Sequence, residues 1–194
     1  RSSDLMRLKL SVILLLLCIT FSAVSQEQSP AQLFWETLIS HCGNAYEGVL
    51  VTPKEDEAFG GKKLVMHIRS CDVTEIKIPV FVGDDKSRTW VLRYEDNRIT
   101  LKHDHRHNDG SEDEVTWYGG TATNEGKADI QFFPADAHTQ QLLPAAATNV
   151  WWITIDETTF TYNLKRLGTD RLFTVSMNLT KPIETPAAPW GWKD

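Results

Sequence analysis

Beyond residue 26 the chain changes its hydrophobic period once, from a helical spacing to strict alternation. Ser29 can cap and Pro30 can open a helix in which Leu33, Phe34, Leu38 and Ile39 recur at helical intervals, ending near Gly43. Apolar and polar positions then alternate through ten segments: 46–52, 64–71, 75–82, 89–95, 98–107, 114–118, 128–133, 150–156, 160–164 and 172–179. The gaps carry turn residues: Gly60-Gly61, Gly83-Asp84, Asp96-Asn97, Asp109-Gly110, Gly119-Gly120, Asp156-Glu157 and Gly168-Thr169. Only 134–143 departs from this, where Pro134 and Asp136 start a short helix stopped by Pro144.

An antiparallel meander of about 8–10 strands must close into a barrel or pack as two sheets to bury its edges. Short sequential hairpins favour the barrel, so the pattern predicts an all-β, up-and-down barrel over 26–180 with an N-terminal helix and one short later helix. The tail, 181–194, holds Pro182, Pro186 and Pro189 with Trp190 and Trp192. It reads as extended chain outside the sheet, its two indoles packing over a barrel end or a crevice.

Residues 1–25 need a separate reading. Met6 is followed by Arg7 and Lys9, an apolar run over 10–21, and Ala23-Val24-Ser25, the pattern of a secretory signal peptide cleaved before Gln26; residues 1–5 read as an upstream over-extension of the start. The run is shorter than the ~20 apolar residues of a membrane span. Removing 1–25 takes three basic residues and one acidic residue from totals of 20 and 26, leaving 17 and 25 and a net charge of −8. That balance disfavours nucleic acid and anionic membrane surfaces as partners. It also removes Cys18, leaving Cys42 and Cys71 as an even pair in an oxidising compartment, secreted or periplasmic, where they are expected to form a disulfide.

The densest chemistry lies in 98–107. Alternation places Ile99, Leu101, His103, His105 and His107 on one side, and the wholly polar Arg98, Thr100, Lys102, Asp104 and Arg106 on the other. The histidines therefore extend the inner row toward one barrel end. A two-residue turn at Asp109-Gly110 would set His107 opposite Glu112, Arg106 opposite Asp113, His105 opposite Glu114, and Tyr118 opposite Leu101. Trp90, sharing a face with Leu92 and Tyr94, is expected to line the core.

Three readings of this cluster stand side by side. In the first, His103, His105, His107, Glu112, Glu114, Tyr118 and Trp90 edge the mouth of a ligand cavity. In the second, His105, His107 and Glu112 hold a transition metal, Zn, Cu, Mn or Fe, in a binding protein or a metal-dependent enzyme. In the third, the histidines are a solvated polar cap on a domain with a filled core. No nucleophile elbow, reactive-cysteine context or phosphate-cradling glycine loop is present, which favours a binder over an enzyme. His67 and His138 read as ordinary strand and helix positions. Asn178-Leu179-Thr180 is a glycosylation sequon, meaningful only in a eukaryotic secretory pathway.

The helix followed by Gly43-Asn44-Ala45-Tyr46-Glu47-Gly48 resembles the opening of calycin (lipocalin-like) barrels, with Tyr46 standing one residue from where a lipocalin has Trp. The segment from His103 to Gly110, with Glu112, Val115 and Tyr118-Gly119-Gly120, is similar to uncharacterised exported bacterial proteins. The calycin resemblance implies a small apolar or amphipathic ligand inside the barrel; the second implies no activity. Neither bears on the identity of the ligand or on oligomeric state.

Overall fold

A computed structural model describes residues 27–53 and 55–193. The proposed signal peptide, 1–25, lies outside the described residues. The chain runs α1 (Pro30–Ser40), β1 (Ala45–Thr52), β2 (Leu64–His67), β3 (Ser70–Cys71), β4 (Glu75–Val82), β5 (Asp85–Glu95), β6 (Arg98–His105), β7 (Tyr118–Thr121), β8 (Ile130–Pro134), α2 (Ala137–Leu142), a 3-10 turn (Pro144–Ala146), β9 (Asn149–Ile155), β10 (Thr159–Arg166) and β11 (Leu172–Ile183). Ten strands form one antiparallel path in the order β7-β6-β5-β4-β2-β1-β11-β10-β9-β8, with β3 paired to β4 alone. First and last strands are neighbours, and the two ends of the path face each other across a seam between β7 and β8. This is the expected up-and-down barrel, nearly closed.

The seam is bridged by α2 rather than by a strand ladder. Asp136 N–H donates to the Gly119 carbonyl at 3.0 Å, the Thr139 hydroxyl both accepts from Gly119 N–H and donates to its carbonyl at 2.7 Å, and Lys102 pairs with Asp136. Gly119-Gly120, expected as a turn, instead lies within β7. A Cβ at Gly120 would strike the Pro134 carbonyl of β8, so glycine there lets the two edges approach, and one at Gly119 would strike the Leu101 carbonyl of the paired strand β6.

Helix α1 starts as predicted, with Ser29 Oγ accepting from Gln32 N–H at 3.2 Å and Pro30 in the first turn. Its buried stripe is Ala31, Phe34, Trp35 and Leu38. Of the apolar residues at helical spacing, Leu33 and Ile39 are exposed, because spacing i, i+3, i+4, i+7 from Ala31 selects Trp35 for the buried face. Trp35 stacks on Tyr94 and donates its indole N–H to Val73 O at 3.1 Å, so the helix plugs the barrel end where the β3–β4 and β5–β6 turns lie. The Cys42–Cys71 disulfide fastens the residues after α1 to β3, as expected.

Three boundaries differ from the pattern. The segment 64–71 splits into β2 and β3, because Ile68 N–H turns aside to Asn44 O. Residues 114–117 are loop, with Asp113 capping Val115 N–H and Trp117 held at φ 58°; Trp117 was expected on a strand. β11 continues to Ile183 through Pro182, which pairs with Tyr46 of β1. Pro182 lies past Asn178, where the β10–β11 pairing ends and β11 has become an edge strand, the position in a sheet where proline is tolerated. The following tail lies against the outer face, with Trp190 N–H donating to Lys86 O at 3.2 Å and the Lys77 ammonium over the Trp192 ring. The adjacent Trp151 and Trp152 divide as alternation requires: Trp151 is buried inside and Trp152 stacks outside on Phe132.

Candidate functional site

The inner row of β6 is as alternation predicts. Ile99, Leu101 and His103 are buried, and each faces an inner residue of β5: Tyr94, Leu92 and Trp90 respectively. His105 follows, opposite Arg88. The row leads from the apolar core to the barrel end opposite α1, where a cleft of about 180 Å³ opens. Its walls come from β5 (Arg88, Trp90), β6 (His103, His105), Tyr118, β10 (Tyr162, Leu164), Phe173 of β11, and the Asp56–Phe59 loop, with Arg171 at the β10–β11 turn.

Aromatic rings form the floor. Trp90 stacks on Tyr162 with centroids 4.2 Å apart, His103 stacks on Tyr118 at 4.5 Å, and Phe59 meets Phe173 edge-on at 4.8 Å. The polar atoms of the floor satisfy one another. His103 Nδ1 lies 2.9 Å from the Tyr118 carbonyl, which can only accept, so this nitrogen carries a proton. Burial pushes the His103 pKa down to about 3, against a weaker upward pull from that carbonyl. The ring is therefore neutral at pH 7, Nε2 is an acceptor, and the Tyr162 hydroxyl at 2.7 Å donates to it. Burial likewise holds the Tyr162 pKa well above 10 and raises that of Tyr118 to about 12.

Nearer the mouth, the Tyr118 hydroxyl and His105 Nε2 lie 3.1 Å apart. Burial, reinforced by the Arg88 charge, lowers the His105 pKa to about 4, so this ring too is neutral. Arg88 pairs with Asp85 and spreads its guanidinium over the Phe59 ring at 5.3 Å. Asp56 Oδ1 accepts from Ala58 and Phe59 N–H at 2.9 and 3.0 Å, shaping the loop over the cleft.

The predicted site residues separate into two groups. Trp90, His103, His105 and Tyr118 converge on the cleft. His107, Glu112 and Glu114 do not line it, and all three are exposed. The reason is register. Tyr118 faces His103, not Leu101, and Arg106 bridges to Glu112, not Asp113, because 112–117 loops outward rather than pairing from Asp109-Gly110. Arg106 is ion-paired to Asp104 at 2.8 Å and to Glu112 at 3.0 Å, and Glu112 also accepts from the Trp117 indole at 3.0 Å. The set His105, His107 and Glu112 is thus not assembled, and among the described residues no group of three or more His, Cys, Asp or Glu side chains is placed to hold a metal. His67 is buried, while His138 is exposed on α2.

Sequence reasoning missed Arg88, Tyr162, Phe173, Arg171 and the 56–59 loop. Arg88 and Tyr162 carried a usable signal: each stands two residues from an inner aromatic, Trp90 or Phe160, and so has inward parity. Arg171 and the loop had none, since irregular chain carries no period. No protein-family model, curated protein or solved structure matches the chain significantly.

Proposed function

We propose that this is an exported barrel that binds a small molecule with an apolar body, inserted at the His105 end. The observation that carries the reading is the inner row itself: it passes from aliphatic side chains to a ring-walled cleft whose floor has its own hydrogen bonds closed, leaving aromatic faces for a guest. The volume of about 180 Å³ is below the roughly 300 Å³ where drug-sized pockets begin, which restricts the guest to one ring or a short chain. The Cys42–Cys71 disulfide supports export.

The test is a ligand-observed and protein-observed NMR screen of single-ring compounds against the oxidised protein. Binding should move the Trp90 indole and Tyr118 resonances saturably, and Ala58→Phe, which narrows the mouth, should abolish it with the amide spectrum otherwise retained. A screen with no saturable shift in these residues would favour the filled-core structural domain instead.

A further inference from the structure

The hydrogen-bonding groups around the cleft mouth are unequally divided between donors and acceptors. Arg88 commits one terminal nitrogen to Asp85, leaving its remaining N–H groups without a hydrogen-bond partner among the described residues. The Arg171 guanidinium has no ion-pair or hydrogen-bond partner among the described residues, Asp170 included, and it lines the same cleft as Arg88. The His105–Tyr118 pair holds two mobile protons and uses one between its members, so whichever way that bond runs, one N–H or O–H remains available. The acceptors are largely spent. Asp85 Oδ1 takes Ser87 N–H at 2.9 Å and its Oδ2 takes Arg88, and Asp56 Oδ1 takes two loop amides.

We infer that the cleft selects a small aryl monocarboxylate, its ring on the Trp90–Tyr162 floor and its carboxylate held at the mouth by Arg171, Arg88 and the His105–Tyr118 pair. This inference rests on the cleft being a ligand site. A carboxylate is acceptor-only and planar, and it matches a forked guanidinium. Of the charged side chains lining the cleft, two are cationic, Arg88 and Arg171, and one anionic, Asp56, so the lining itself complements a single negative charge, with Asp85 meeting Arg88 from outside it. Asp56, on the rim, disfavours a second negative charge on the guest. A neutral ring of the same size leaves these donors to water, and a cationic guest meets Arg171 directly.

The experiment compares phenylacetate with phenylacetamide, which share ring and linker, by isothermal titration and amide-resolved NMR on the oxidised wild-type protein and on Arg171→Gln. Arg171 is an exposed turn residue, so the variant keeps the fold, which the spectrum checks. The inference expects phenylacetate to bind about tenfold tighter than the amide, as a charge-assisted hydrogen bond contributes. Arg171→Gln should erase that preference, and rising salt should narrow it in the wild type only. Equal binding of acid and amide would overturn the carboxylate inference while leaving the ligand cleft standing. An acid preference that survives in Arg171→Gln would place the anion elsewhere and also overturn it. If neither compound binds, the inference falls; the single-ring screen above decides separately whether the cleft reading falls with it.

Discussion

The two ends of the barrel are closed by opposite means. At one end α1 inserts Phe34 and Leu38, both fully buried, and polar groups on the helix serve structure: the Trp35 indole ties to Val73 O and Ser29 caps the helix. At the other end no element is inserted. The inner row runs out through His103 and His105 to arginines and a short loop, and a cleft remains. The difference shows how one alternating pattern yields both a packed core and an open cleft. The same inward parity that pairs Leu101 with Leu92 pairs His103 with Trp90 two residues further on and His105 with Arg88 four residues further on.

The comparison can be broken most severely at the plug. Phe34→Ala removes a fully buried ring and should cost about 3–5 kcal/mol in urea unfolding, while the cleft resonances of Trp90 and Tyr118 stay in place under folded conditions. The disulfide belongs to the same end. Cys42→Ser with Cys71→Ser opens a loop with a sequence separation of 29 and should cost about 3 kcal/mol on the loop-entropy model, measurable as a lower denaturant midpoint.

At the cleft end, acid is the sharper probe. His103 has its pKa lowered by burial to about 3 in the folded protein, against about 6.5 when unfolded. Above pH 6.5 neither state is protonated and its contribution is complete. As pH falls below 6.5 the unfolded chain takes up a proton that the folded one refuses, so stability declines toward the folded pKa by about 1.4 kcal/mol per pH unit. His105, lowered to about 4, adds to the slope in the same window. Denaturation at pH 7, 6 and 5 should show this loss, and His103→Gln should remove the His103 share and leave that of His105. A smaller effect is expected from Tyr162→Phe. It removes the hydroxyl that donates to His103 Nε2 and should cost about 1–3 kcal/mol at pH 7 through the unpaired imidazole nitrogen.

What the sequence reveals follows the same division. Strand order, inner face and disulfide were legible because alternation and cysteine count are local signals, and the same alternation marked Trp90, His103 and His105 as inward-facing; with Tyr118 they line the cleft. The carboxylates Glu112 and Glu114 were misplaced because a hairpin register was read from Asp109-Gly110, whereas the outward loop at 112–117 is held by the Arg106–Glu112 pair and a left-handed Trp117, tertiary features with no periodic trace. The spacing of Leu33, Phe34, Leu38 and Ile39 revealed the helix but not its buried face, because apolar residues lie on both sides and only packing distinguishes the stripe bearing Trp35.

The most direct test of the central claim, that the His105 end alone is a ligand site, is an amide and indole NMR titration of the oxidised protein with phenylacetate. The account predicts saturable shifts at Trp90, His105, Tyr118 and Phe173, with Phe34, Trp35 and Leu38 unmoved. Shifts centred on α1, or saturable binding that leaves the cleft residues unmoved, would contradict it.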